Sequence, residues 1–212
     1  MNRPLHALLA GLLLATAPLA HAALSRQFDG NGLLLGAKGV SVDSTLYDVA
    51  FVDGRCIDIF NGCANSAAFT FTNSGAAQSA AQALLDQVFL DVPGHMLDTL
   101  AGLTFGCVGT FSYCTVLTPY NVVNSGGLFV LTQVAFNGIA PGNNDFVSSM
   151  FLEQVSNTTF NGRVWAVWSP HVAAVPEPAS LLLASLALAA LAGQRRRTGW
   201  RWQERRDDIE PN

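Results

Sequence analysis

The sequence predicts an α+β fold, a mainly antiparallel β domain with one amphipathic helix, and a β-sandwich is the alternative. Three observations support this prediction. One stretch repeats apolar residues with the helical period, about seven short stretches alternate apolar and polar residues, and the two kinds do not alternate regularly. The domain covers residues 23–174, and the apolar segments that flank it are expected to be a signal peptide and a C-terminal membrane helix.

Residues 1–22 have the three parts of a secretory signal peptide. Arg3 gives a positive start, residues 7–17 are apolar, and the small residues Ala20 and Ala22 fit a cleavage site. We therefore expect the mature chain to begin after Ala22 and its domain to fold outside the cytoplasm.

The domain's clearest helix covers residues 75–90, where apolar residues from Ala77 to Val88 form one stripe. Asn73 or Ser74 is the expected N-terminal cap. Turns rich in Gly, Pro and Asn separate the predicted strands. These strands cover residues 45–52, 68–72, 103–108, 115–123, 128–136, 146–155 and 163–168.

Four cysteines form two pairs with the same C-x6-C spacing, Cys56 with Cys63 and Cys107 with Cys114. In an oxidising compartment this pattern favours disulfides, and local pairing is the simplest of three connectivities, which all stay open. The first pair is expected to close a hairpin or tight loop. A four-cysteine zinc site is the less favoured alternative, because paired zinc ligands are usually separated by about two to four residues.

The charge balance of the domain argues against nucleic acid as a partner. Its ten acidic residues outnumber four basic residues, so the net charge is −6 and no basic patch exists to displace counterions. The size of about 150 residues fits one domain with its own core.

Catalytic groups are scarce in the mature domain. His95 and His171 are its two histidines, and each is expected to be a solvated loop residue instead of a general base. Nucleophile-elbow, P-loop and dinucleotide motifs are absent from the sequence. We predict no catalytic residue, no cofactor and no metal, and hence a protein that is not an enzyme.

Two weaker hypotheses depend on acidic residues. Asp48, Asp53 and Asp58 are close enough in sequence to suggest paired glycosidase carboxylates, and the same three residues, or Asp29 with Asn31, suggest a calcium site. Aspartates beside turns on the surface explain these residues better.

A third hypothesis is a sugar-stacking platform made by Trp165, Trp168 and Phe160. Residues three apart on a strand face opposite sides, so at least one of the tryptophans is expected in the core.

The C-terminal region combines three physically distinct elements. They are Val175-Pro176-Glu177-Pro178, an apolar run over residues 179–192, and the arginines Arg195, Arg196 and Arg197. Fourteen residues give about 21 Å of helix, which is short for a hydrocarbon core of about 30 Å. The arginines should stay on the cytoplasmic side, and the prolines should keep their segment extended and open to a protease.

This combination resembles the PEP-CTERM sorting signal. The resemblance implies an exported protein whose tail is recognised by an exosortase, a membrane-embedded cysteine-type transpeptidase, which cleaves near the Pro-Glu-Pro triplet at residues 176–178. Such segments are also named ice-binding-protein C-terminal domains, a name that does not by itself imply ice binding. We divide the chain into signal peptide (1–22), exported domain (23–174), sorting signal (175–197) and charged cytoplasmic tail (198–212). The tail departs from the family, whose chains usually stop after the arginines.

The sequence thus leads to one main functional hypothesis and two alternatives. We expect an exported surface or extracellular-matrix protein with a structural or adhesive role linked to exopolysaccharide. Its expected partners are the exosortase, the secretion machinery, the membrane before processing and the exopolysaccharide. The alternatives are a carbohydrate-binding module and a secreted hydrolase.

Overall fold

The computed structural model describes residues 23–107, 109, 112–138, 145–153 and 162–172, with side chains left undescribed at 151–153. Seven strands are present in this part of the chain. They are β1 (Ser25–Phe28), β2 (Leu34–Val42), β3 (Thr45–Val52), β4 (Tyr113–Asn124), β5 (Leu128–Gly138), β6 (Phe146–Glu153) and β7 (Arg163–Pro170). The helical elements are α1 (Cys56–Ile59), α2 (Ser74–Ala83), a π-helical turn (Leu84–Val88) that continues α2, and 3₁₀ turns at Ser66–Ala68 and Ala101–Leu103.

The strands form one mixed sheet in the order β1-β2-β3-β7-β4-β5-β6. Five of its neighbouring pairs are antiparallel, and β4 and β7 are parallel, with Thr115 opposite Arg163. The α+β prediction is therefore confirmed at the level of one helix of fifteen residues on a mainly antiparallel sheet. The described strands make one sheet, so the β-sandwich alternative is wrong for them. The last strand, β7, lies in the interior of the sheet between β3 and β4.

The long helix forms where the apolar stripe predicted it. The side chain of Asn73 accepts a hydrogen bond from the Ala76 amide at 2.9 Å, which satisfies one of the free donors of the first turn. The side of α2 that packs on the sheet consists of buried alanines. Leu84 and Val88 of the π-helical turn continue this buried stripe. The helix therefore lies flat against the sheet and exposes its glutamines.

Side chains from the two faces of the sheet build two cores. The helix face, covered by α2 and its π-helical turn, includes Val116, Ala166 and Trp168. The loop face, covered by residues 56–69, includes Leu117 and Trp165. Neighbours in sequence point to opposite faces along β4 and β7, as the period of a strand requires.

Two predicted strands are wrong. Residues 68–72 form an irregular segment after the Ser66–Ala68 turn, where Phe69 packs in the loop-face core and Phe71 in the helix-face core. Their alternation with threonine imitated a strand because the segment crosses between the two cores. Residues 104–107 form a turn after Ala101–Leu103, with a single bridge from Thr104 to Leu34, and residue 108 lies outside the described residues.

Sequence reasoning missed β1, which has only four residues, and β2, whose pattern is interrupted by Gly36 and Gly39. A Cβ atom on Gly36 would lie 2.1 Å from the carbonyl oxygen of Val49 on the neighbouring strand. Glycine is needed here because the two backbones approach closely, and it does not mark a loop.

Several predicted segments lie outside the described residues: the signal peptide at 1–22 with Ala20 and Ala22, the sorting signal at 175–197 and the tail at 198–212. Backbone contacts divide the chain into a unit of residues 1–171 and a unit of residues 172–212, and every element named above belongs to the first unit. Within the described ranges, none of the helices has the length and apolar character needed to cross a bilayer.

Candidate functional site

Both cysteine pairs are joined locally, Cys56 to Cys63 and Cys107 to Cys114, with Cα–Cα distances of 5.7 and 5.5 Å. All four sulfur-bearing side chains are buried. The bonded state excludes both a thiolate nucleophile and the four-cysteine zinc site. The first pair closes a tight loop and not a hairpin, because Cys56 begins the short helix α1 and a turn leads from this helix to Cys63.

His171 is not a solvated loop residue as predicted. Its Nδ1 lies 2.6 Å from Oδ1 of Asp48, and the two side chains are only 13% and 28% exposed. Its backbone amide donates to the carbonyl of Leu46 at 3.0 Å, while Asp48 also accepts from the amide of Gly39 at 3.0 Å. The pair therefore fastens the end of β7 to β2 and β3. In the described part of the chain, no serine or cysteine side chain is hydrogen-bonded to the His171 ring.

His95 also has a packing contact, contrary to the solvated prediction. Its ring stacks on Phe28 with centroids 3.7 Å apart and planes 12° from parallel. Its backbone exchanges two hydrogen bonds with Val92, each 2.9 Å long. His95 thereby joins β1 to the loop after the long helix, a structural arrangement.

The three aspartates considered as glycosidase carboxylates have separate surroundings. Asp48 contacts His171, whereas Asp58 forms an exposed ion pair with Arg55 at 2.7 Å. Two of the three carboxylates are therefore paired with different basic groups, so the geometry does not support two carboxylates that act on one substrate.

The carboxylate of Asp29, the suggested calcium ligand, accepts hydrogen bonds from backbone amides of its own loop. Its Oδ1 accepts hydrogen bonds from the amides of Asn31 and Leu33, both at 2.8 Å, and the bond from Leu33 contributes most to lowering the pKa of this carboxyl. Within the described ranges, no group of three or more His, Cys, Asp or Glu side chains is arranged to hold a metal ion.

The sugar-stacking platform is wrong because both tryptophans are core residues on opposite faces of the sheet. Trp165 is 0% exposed and donates from Nε1 to the carbonyl of Gly54 at 2.9 Å. Trp168 is 5% exposed and donates to the hydroxyl of Thr118 at 3.2 Å. Phe160 lies outside the described residues.

Sequence reasoning missed an acidic cluster of Asp91, Asp98 and Asp145. Partial burial and then the charges of Asp145 and Asp91 raise the pKa of Asp98, which also shares a hydrogen bond with Asp145. Asp91 is stabilised as an anion instead, because hydrogen bonds from Thr99 and from the Asp98 amide lower its pKa. Separations of up to 54 positions left no local signal for this cluster.

An aromatic row was also missed. Phe136 stacks on Tyr113 and on Phe146, with ring centroids 4.9 and 4.8 Å apart, across the adjacent strands β4, β5 and β6. The rings face one another with interplanar angles of 22° and 18°, so they do not lie side by side as a flat sugar platform would.

A polar groove of about 430 Å³ runs between the end of β2 and the exposed side of the long helix. Its lining consists of Ser41, Val42, Asp43, Gly75, Gln78, Ser79, Gln82, Ala83, Asp86 and Gln87. Amide, hydroxyl and carboxylate groups dominate this lining. The apolar stripe predicts only the packed side of this helix, and the proximity of its glutamines to residues 41–43 has no local sequence signal.

The comparisons with known proteins concern the C-terminal region. No curated protein and no solved structure matches the chain. The PEP-CTERM protein-sorting motif matches residues 174–197, which include the proline-rich stretch from Val175 to Pro178 and the arginines from Arg195 to Arg197. The chain thus carries a PEP-CTERM protein-sorting motif, which implies recognition by an exosortase, export, and membrane-anchored processing before release to the surface.

Proposed function

We propose that this is a non-enzymatic protein of the cell surface or extracellular matrix, with a structural or adhesive role linked to exopolysaccharide. The observation that carries the proposal is the sorting motif at residues 174–197, because it sets the destination of the domain before it. The signal peptide at 1–22 is removed on export, and the C-terminal helix holds the chain in the membrane until the exosortase acts.

The uses of the reactive side chains support a non-catalytic role. The cysteines are bonded in pairs, His95 stacks on Phe28, and His171 is paired with Asp48. Each cysteine and each histidine of the described domain thus has a covalent bond, a packing contact or an ion pair that accounts for it. The alternative of a secreted hydrolase has no comparable support.

Charge and covalent structure suit a surface location. The domain is net negative and rich in neutral Asn, Ser, Thr and Gly, a composition that disfavours nucleic acid as a partner. Two disulfides restrict the unfolded chain in an oxidising environment where chaperones and reductants of the cytoplasm are absent.

The sorting half of the proposal is tested by deleting residues 176–178 in the native host. The unprocessed protein should then keep its full C-terminal mass and accumulate in the membrane fraction. Deletion of residues 207–209 in the tail is the matched control and should leave processing and release intact. Equal processing of both deletion variants would contradict sorting through the proline motif.

The adhesive half is tested by sedimenting the mature protein with exopolysaccharide purified from the same host. The protein is expected to sediment with the polysaccharide. Absence of any association with the polysaccharide would end this half of the proposal and leave the sorting half standing.

A further inference from the structure

We infer that the polar groove between β2 and the long helix binds a segment of a neutral polysaccharide. The inference deepens the proposed function and rests on it, since it names the binding site and the ligand class. The volume of the groove, about 430 Å³, falls within the range of about 300 to 1,000 Å³ that is usual for ligand sites.

The groove has a fixed shape before any ligand arrives. Gln87 donates from Nε2 to the carbonyl of Ser41 at 2.8 Å and accepts at Oε1 from the Ser41 amide at 3.0 Å. These two hydrogen bonds between the Gln87 side chain and the strand backbone hold the helical wall of the groove against the strand wall. Buried Val42 and Ala83 belong to the groove lining and anchor its two walls in the core. A preformed site loses little conformational entropy when it binds.

The lining offers the groups that recognise sugar hydroxyls. Gln82 donates to Oδ1 of Asp86 at 2.9 Å, an arrangement that orients both side chains and leaves the second carboxylate oxygen and the amide oxygen for a ligand. Gln78 and Ser79 add an amide and a hydroxyl that have no protein hydrogen bond in the described part of the chain. Paired donors and acceptors of this kind match neighbouring hydroxyl groups on a pyranose ring.

The charge of the lining selects among polysaccharides. Asp43 and Asp86 are negative, and no Lys, Arg or His lines the groove. Uronate, phosphate or sulfate groups would meet like charge without a counterion, so anionic polymers are disfavoured. Mainly polar walls give an apolar ligand little to contact. A neutral, hydroxyl-rich chain is the class that fits.

The test uses the mature protein purified from its native host and two fractions of that host's exopolysaccharide, separated by anion exchange. The variant is Gln78→Ala with Gln82→Ala, which removes two amides while alanine preserves helix propensity. The control is Asn124→Ala, an exposed amide at the end of β4 that does not line the groove. Thermal unfolding is measured for each protein to show that the fold is kept.

The parent protein should bind the neutral fraction, and the double variant should bind it at least about tenfold more weakly, as expected for the loss of two hydrogen bonds. The control should match the parent. If parent and double variant bind alike, the polysaccharide contacts another surface, and the groove assignment falls while the proposed function survives. Preference of the parent for the acidic fraction would overturn the ligand class. If the parent binds neither fraction, the groove assignment falls together with the adhesive half of the proposed function, and the sorting half stands.

Discussion

The two faces of the sheet are covered by different kinds of structure. The helix face is covered by a regular helix whose small side chains repeat with the helical period, whereas the loop face is covered by residues 56–69, closed by a disulfide and packed with aromatic rings. Each face holds one buried tryptophan from β7. Periodic packing of the helix-face kind can therefore be recognised from sequence, whereas the irregular packing of the loop face depends on a crosslink and on the shapes of its side chains.

Truncation of the two tryptophans should give the largest effects. Trp165→Ala and Trp168→Ala should each lower the free energy of unfolding by about 3 to 5 kcal/mol, because each leaves a cavity beside the central strand. Hydrogen exchange should separate them: Trp165→Ala should expose amides of residues 56–69, and Trp168→Ala should not.

The matched controls are Trp165→Phe and Trp168→Phe, which keep a ring and remove the indole donor. They should cost about 1 kcal/mol each in urea unfolding. Equal exchange patterns in both alanine variants would show that the faces unfold as one unit and would contradict the distinction between the two cores.

Removal of the disulfides should come second. Replacing both cysteines of either pair by alanine should cost about 2.5 kcal/mol on the chain-entropy account, because the two loops have equal length. Loss of Cys56–Cys63 should also loosen the contact of Phe60 with Trp165, whose ring centroids are 5.6 Å apart. Near-ultraviolet circular dichroism measures that change, and an unaltered spectrum would argue against the crosslink as the organiser of the loop face.

The asparagine caps give a smaller contrast. Asn73→Ala should cost about 1 kcal/mol because it uncaps the long helix of the helix face. Asn65→Ala removes a similar bond to the Ala67 amide at 3.0 Å, but it caps only a 3₁₀ turn beside the loop face. A cost of a few tenths of a kcal/mol is expected there, and chemical denaturation with both variants side by side checks the order.

The smallest effects should come from the acidic cluster, and their sign depends on pH. The raised pKa of Asp98 means that ionisation is unfavourable in the folded protein, so its contribution to stability is complete below the unfolded value of about 3.9 and is lost as pH rises through the folded pKa. Asp98→Asn should therefore stabilise the domain at neutral pH, by within about 0.5 kcal/mol, and should have little effect in acid.

Asp91 should behave in the opposite way. Its pKa is lowered, so its contribution is present above about 3.9 and is lost as pH falls through the folded pKa. Asp91→Asn should destabilise the domain at neutral pH. Thermal unfolding of both variants across this range measures the two trends, and parallel curves would contradict the assigned surroundings.

The parts predicted from sequence are those set by local order. The bounds of β3 agree with the alternation of residues 45–52, and the helix follows from a stripe within 16 residues. The sorting motif could be recognised because its prolines, apolar run and arginines follow one another directly.

The remaining features depend on contacts between distant positions. β2 was missed because Gly36, which reads as a loop residue, is required by the close approach of the Val49 backbone. Residues 68–72 resembled a strand because Phe69 and Phe71 are both buried, each in a different core. The groove and the pairing of His171 with Asp48 arise only when separate elements meet. No local pattern records such meetings.

Intact mass spectrometry of the mature protein from its native host tests the central claim most directly. Export and sorting predict a chain that lacks residues 1–22, ends near Pro176 to Pro178, and has lost the four thiol hydrogens of its cysteines. A protein of full C-terminal length with four free thiols, found in the cytoplasm, would contradict the account.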